Sequence, residues 1–214
     1  MEALTVAAEE RREIAVRGIV QGVGFRPFVY GLASRLSLSG FVRNTARGVL
    51  IEIEGESGAI ARFERELLLD IPTLASVDSC VIAPLPLKGD GPFRIDASVE
   101  GTIGADLNVR ISPDVATCLS CVAELMDADN RRYRYPFITC ATCGPRLTVV
   151  TASPYDRERT TMARFEMCEA CRREYQDPHD RRFHAETIAC PWCGPRLGLV
   201  VGGNAVSDAD PVIE

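Results

Sequence analysis

The chain has 214 residues, 46% of them hydrophobic and 25% charged, which is enough to bury a core without staples and is the balance of an ordinary globular protein. Its net charge of −6 disfavours sequence-independent nucleic-acid binding, which needs a basic surface, and no apolar run approaches the ~18 residues of a membrane span. The acidic N-terminus, Met1 to Arg12, has no apolar stretch that reads as an export signal, so a cytoplasmic protein is expected. There, nine cysteines point to metal rather than disulfides.

The first elements read β-α-β-β-α-β. Ile14, Val16 and Val20 alternate as in a half-buried strand. The turn Gln21-Gly22-Val23-Gly24-Phe25 follows, and then Phe28, Leu32 and Leu36 recur at helical spacing with Val29 and Ala33. Phe41 to Asn44 is a short strand. After the turn Thr45 to Gly48, Val49, Ile51 and Ile53 mark a second alternating strand. Ile60, Phe63 and Leu67 mark a second helix, stopped by Pro72. Val77, Ser79 and Val81 share one face of a last strand, with Cys80 and Ile82 on the other, so Cys80 reads as a buried small hydrophobe. This order over about 90 residues predicts a ferredoxin-like α+β sandwich. We expect a first domain over 1–97, a linker over 98–110, a second domain over 111–200 and, over 201–214, a polar tail or the start of a missing nucleotide-binding domain.

Eight cysteines fall in four C-x2-C pairs after residue 117. A shift of 50 residues lays Cys118, Cys121, Cys140 and Cys143 onto Cys168, Cys171, Cys190 and Cys193. The same shift matches Glu124 to Glu174, Arg131-Arg132 to Arg181-Arg182, and Gly144-Pro-Arg-Leu147 to Gly194-Pro-Arg-Leu197. This is an internal duplication. Two C-x2-C pairs at this interval supply a tetrahedron of thiolates, and four thiolates leave no open position, so two structural Zn2+ ions are expected. Thiol redox chemistry and an iron–sulfur cluster are the competing readings. His184 corresponds to Arg134 and His179 to Asp129, so neither histidine is repeated as a ligand would be. We expect each metal to be held within one module; an interleaved pairing of the C-x2-C knuckles remains open. The arginine clusters read as a solvated or phosphate-facing surface.

The turn at Gln21, Gly22, Val23, Gly24 and Phe25 closes a strand and opens a helix. Free N–H groups there bind anions, and Arg26 adds a fork of donors for phosphate oxygens. By topology Asn44 ends the second strand at the same edge, where its amide can aim a water at a bound phosphoryl group. Gly-x-Gly before a helix is weak evidence by itself.

The runs Gly18-Ile-Val-Gln-Gly-Val-Gly-Phe-Arg26, Gly40-Phe-Val-Arg-Asn-Thr45 and Gly48-Val-Leu-Ile-Glu52 resemble the acylphosphatases. That resemblance implies phosphate binding by Gln21 to Arg26 and a water positioned by Asn44. Together with Arg26-Pro-Phe28, Ser112-Pro-Asp114, Tyr133-Arg-Tyr-Pro-Phe137, Pro154-Tyr-Asp-Arg157 and Arg182-Phe-His184, the chain resembles the N-terminal part of the HypF family, carbamoyltransferases that mature [NiFe] hydrogenases. The resemblance implies carbamoyl phosphate, or another acyl phosphate, as substrate, hydrolysed to carbamate and phosphate. It implies a HypE-type maturation protein as partner of the complete family member. It also implies adenylation and transfer domains beyond residue 214, so that the chain is a fragment or a truncated product. The alternative is a catalytically silent zinc-scaffolded interaction module.

Overall fold

The structure is a computed structural model that describes residues 8–99, 110–144, 147–202 and 204–206. Most of the expected linker lies outside the described residues. Strand β1 (Glu9–Ile19) is followed by helix α1 (Phe25–Arg35), β2 (Ser39–Thr45), β3 (Gly48–Glu56), α2 (Ser57–Leu69), β4 (Ser76–Leu85) and a short β5 (Arg94–Ile95). The sheet order is β4-β1-β3-β2-β5. All pairs are antiparallel except β2 with β5. The first four strands thus take the ferredoxin-like α+β order. Strand β5, two residues long, carries too little periodic signal for the sequence to announce it.

One face of the sheet is apolar because β1 and β3 alternate. Ile14, Val16, Val49, Ile51 and Ile53 are buried against Phe25, Val29, Leu32 and Ala33 of α1 and Ile60, Phe63 and Leu67 of α2. Each such large side chain contributes about 1.5–3 kcal/mol on burial, so this unit has a core of its own. The last strand departs from simple alternation. Gly18 faces Val77 while Arg17 faces Ser79, so the register of β4 against β1 shifts by a bulge. Val77 and Cys80 therefore both pack against the core, whereas Val81 is 62% exposed. Cys80, opposite Val16, is half-buried rather than buried.

The second region has little apolar core. Helix α3 (Leu119–Met126) starts directly after Cys118, and helix α4 (Glu169–Gln176) directly after Cys168. Three 3-10 turns lie between them, at Leu147–Val149, Arg157–Arg159 and Thr161–Arg164. The buried clusters here are built around the cysteines themselves, with Tyr135, Ile138 and Met162 in the first and Ala185 and Ile188 in the second. Strands β6 (Leu199–Val201) and β7 (Asn204–Val206) pair antiparallel at the start of the segment expected as a tail or the start of a further domain, and residues 207–214 lie outside the described residues.

Candidate functional site: two thiolate quartets and a capped glycine turn

Each C-x2-C pair converges with its partner in the same module. Cys118, Cys121, Cys140 and Cys143 form one quartet, and Cys168, Cys171, Cys190 and Cys193 the other, with sulfurs within 4.8 Å of one another. The interleaved pairing is excluded. Successive sulfurs are 3.6–3.8 Å apart in both quartets. A tetrahedron with metal–sulfur bonds of about 2.3 Å has edges of about 3.8 Å, so the residues fit a metal held by four thiolates. Local folding explains the fit. The first pair rides on a helix N-terminus, where Val122 N donates to Cys118 O at 2.9 Å and Arg172 N to Cys168 O at 2.9 Å. No third group of metal-ligating side chains occurs among the described residues.

The duplicated arginines are not a solvated face. Arg132 is 1% exposed and Arg182 3%, and they cross between modules. Arg131 Nη2 lies 3.3 Å from Cys171 Sγ, and Arg181 Nη2 lies 3.1 Å from Cys121 Sγ. Arg131 and Arg132 pair with Glu174, while Arg181 and Arg182 pair with Glu124. Arg132 Nε reaches Ala189 O at 2.9 Å and Arg182 Nε reaches Thr139 O at 3.0 Å. A divalent ion with four thiolates carries a net charge of about −2, and each quartet receives its compensating guanidinium from the other module. Burial works to raise the Glu174 carboxyl, but Arg132 and Arg131 win and hold it at about 2.

The glycine turn has the expected shape. Gly22 and Gly24 take φ of 72° and 76°, a left-handed backbone that glycine adopts without strain. Gly24 caps α1 with no side-chain hydrogen bond, leaving the first-turn N–H groups that a helix cannot satisfy internally. A Cβ at Gly22 would lie 3.3 Å from the Tyr155 ring, and one at Gly24 3.2 Å from Ala141 O, so the second region packs onto this turn. Gln21 is buried and braces the turn instead of lining it. Its Nε2 donates to Thr45 O and Gly48 O, both at 2.8 Å, and its Oε1 accepts from Tyr155 N at 2.9 Å. Val23 and Phe25 are core residues, each 1% exposed.

Arg26 and Asn44 meet at one point. Arg26 Nη2 donates to Tyr155 O at 3.3 Å, and Asn44 Nδ2 donates to the same oxygen at 3.0 Å. Arg26 also pairs with Asp156 at 2.9 Å and Glu186 at 2.6 Å. Those three contacts occupy three of the five guanidinium donors. Burial opposes its charge, but Glu186 and Asp156 outweigh it and raise the Arg26 pKa. Burial pushes the Glu186 carboxyl up, against Arg26; Tyr175 Oη and Arg157 N hold its other oxygen at 2.9 and 3.1 Å. Between the turn and the two finger modules remains a cavity of about 20 Å³, lined by Gly22, Arg26, Asn44, Ala141, Tyr155, His184 and Glu186 among others.

Sequence reasoning named Arg26 and Asn44 but missed the lid over them. Tyr155 and Asp156 lie outside the repeat. His184 and Glu186 lie inside it, at positions where the first module has Arg134 and Pro136. Breaks in the repeat were the available signal, because a residue needed by only one module has no reason to recur.

Comparison with known proteins matches this construction part by part. The acylphosphatase family model matches residues 12–95, and the HypF finger matches twice, over 117–150 and 167–200. An acylphosphatase of Chlorobaculum tepidum is 44% identical over 72 residues, which are 33% of this chain and 77% of that protein. A carbamoyltransferase HypF of Synechocystis is 48% identical over 152 residues, 71% of this chain and 19% of the relative. A crystal structure of full-length HypF in the phosphate- and nucleotide-bound form has a TM-score of 0.87 at 45% identity, covering 93% of this chain and 26% of that one. Fold and site thus define an acylphosphatase domain joined to a pair of four-cysteine fingers. The chain belongs, as an N-terminal part, to the HypF family, and it spans about a fifth of the length of the curated HypF relatives it matches. No helix among the described residues is long and apolar enough to cross a membrane.

Proposed function

We propose that this chain hydrolyses acyl phosphates, carbamoyl phosphate foremost, as the acylphosphatase portion of a HypF-type carbamoyltransferase. The observation that carries this reading is the convergence of Arg26 and Asn44 on a single oxygen, Tyr155 O, beside the uncapped start of α1. That shared anchor sets the Arg26 guanidinium and the Asn44 amide side by side at the helix start, and positioning plus charge stabilisation suffice for phosphoryl transfer. The N–H groups of the turn and the two Arg26 donors left over would hold the phosphoryl oxygens, and Asn44 would position the attacking water. In this reading both metals are zinc and structural, the protein is cytoplasmic, and a HypE-type maturation protein is the eventual acceptor of the carbamoyl group. The test is phosphate release from carbamoyl phosphate. Asn44→Ala is expected to lower kcat about a hundredfold with metal content unchanged; wild-type kcat in that variant overturns the assignment.

A second reading rests on one specific observation. Asp156 and Glu186 already hold Arg26, and the residual cavity measures about 20 Å³, room for a single water. A finger region closed permanently over the turn would make the chain a silent scaffold. Absence of turnover with carbamoyl phosphate and benzoyl phosphate, with both metal sites full, favours that reading.

A further inference from the structure

Asn44 and His184 come from different units and line the same small cavity. Asn44 is wholly buried, and the orientation of its amide is fixed. Tyr155 O can only accept, so the group donating to it at 3.0 Å is Nδ2. Asn44 Oδ1 then points elsewhere and has no partner, and His184 Nδ1 has none either. Leaving a buried acceptor unsatisfied is costly, and folded proteins meet such atoms with ordered water. The space available, about 20 Å³, exceeds the about 10–15 Å³ that one water needs.

With its proton on Nε2, a neutral His184 presents Nδ1 as an acceptor. Its ring lies 4.9 Å from that of Tyr175 and 4.6 Å from that of Phe183. Its backbone N donates to Tyr175 O at 3.0 Å. Burial, and then Arg26, bring its pKa down to about 4, so the imidazole is neutral in neutral solution. Its left-handed φ of 50° is shared by Arg134 at 57°, so the backbone shape belongs to the module and only the side chain is particular to this site.

We propose that His184 and Asn44 together hold the attacking water, His184 Nδ1 and Asn44 Oδ1 each accepting one of its hydrogens. This deepens the acyl-phosphate hydrolysis proposed above and rests on it. An amide alone fixes one O–H direction and leaves the water free to turn about it. Two acceptors fix both, and a lone pair is left for phosphorus. The water oxygen bonds to phosphorus as the bond from phosphorus to the acyl oxygen breaks. The carboxylate or carbamate leaves with that electron pair. Both water hydrogens end on orthophosphate, one of them passing to a phosphoryl oxygen, and His184 finishes as it began. The acylphosphatase unit supplies the phosphate donors, and the second finger supplies half of the water site.

The test uses the full chain with metal content verified, comparing wild type, His184→Ala and His184→Asn, whose amide oxygen falls near the Nδ1 position. Kinetics with carbamoyl phosphate are paired with orthophosphate binding by calorimetry and a high-resolution crystal structure. His184→Ala is expected to lower kcat about ten- to hundredfold, with KM and phosphate affinity within about twofold. His184→Asn recovers most of the loss, and the crystal shows one water bonded to both atoms. Wild-type kcat in His184→Ala, or a cavity water bonded to Asn44 alone, overturns the water site while leaving the hydrolase reading intact. A wild-type chain that binds phosphate but turns over no acyl phosphate overturns the hydrolase reading, and the water site with it.

Discussion

Arg26 Nη2 donates to Glu186 Oε1 at 2.6 Å across 160 positions of the chain. One residue opens the first helix of the acylphosphatase unit, and the other lies in the second finger. Both are buried, at 8% and 4% exposure. Two units that the sequence presents as successive domains therefore share one buried electrostatic site.

Breaking a buried pair leaves an uncompensated charge, which costs about 3–5 kcal/mol. Arg26 keeps Asp156 when Glu186 is removed, so Glu186→Ala is expected at the lower end, about 3 kcal/mol, in denaturant unfolding of the metal-loaded protein. Arg26→Ala combined with Glu186→Ala should cost clearly less than the two single changes added. Additive costs would mean that the pair does not couple the units.

The crossed arginines make a prediction about metal that is specific to one site. Arg131→Ala with Arg132→Ala changes the first module but should weaken the second quartet, at Cys168, Cys171, Cys190 and Cys193, by about 10- to 100-fold in metal affinity. Arg181→Ala with Arg182→Ala should weaken the first quartet instead. Competition with a chromophoric chelator measures both. Loss at the mutated module's own quartet would contradict the crossed arrangement.

Trp192 is the only tryptophan of the chain. It lies between Cys190 and Cys193 and is 80% exposed, so its fluorescence should report the second quartet alone. Chelation should shift that signal and unfold the finger region, whose buried clusters are made largely of the cysteines. The sheet packed on Ile60, Phe63 and Leu67 should keep its β-sheet circular dichroism. Complete unfolding on metal removal would show that the first unit does not stand on its own core.

The regular elements were legible because their side chains repeat. Ile14 and Val16, or Ile60, Phe63 and Leu67, announce a face by spacing, and the quartets announce themselves by a doubled register. The bulge between Arg17 and Gly18 was not legible, since one extra residue in β4 reverses the faces without changing composition. Arg131 and Arg181 show a subtler limit: the repeat revealed that they matter, but not that each serves the other module. The lid was hidden for a different reason. Tyr155, Asp156 and Glu186 reach Arg26 through tertiary packing over more than a hundred positions; the run Pro154 to Arg157 and the break in the repeat at Glu186 mark these residues, but neither names Arg26 as their partner.

His184 gives the pH dependence of stability a definite sign. Its pKa in the fold is about 4 against an ordinary 6.5, through burial first and Arg26 second. Between those values the unfolded chain binds a proton that the fold does not, so this residue makes stability rise with pH across that window. The thermal midpoint of metal-saturated protein should lose part of its rise between about pH 4 and 6.5 in His184→Asn. An unchanged slope would mean that His184 titrates alike in both states.

If the finger-capped turn is an acyl-phosphate site organised by Arg26, acyl-phosphate turnover depends on that guanidinium. Steady-state phosphate release from carbamoyl phosphate, measured on metal-loaded wild type and Arg26→Ala side by side, tests it most directly. Wild type is expected to turn over carbamoyl phosphate, and Arg26→Ala to lose at least about a hundredfold in kcat/KM, with both quartets still filled. Equal turnover by the two proteins, or none by wild type, would contradict it.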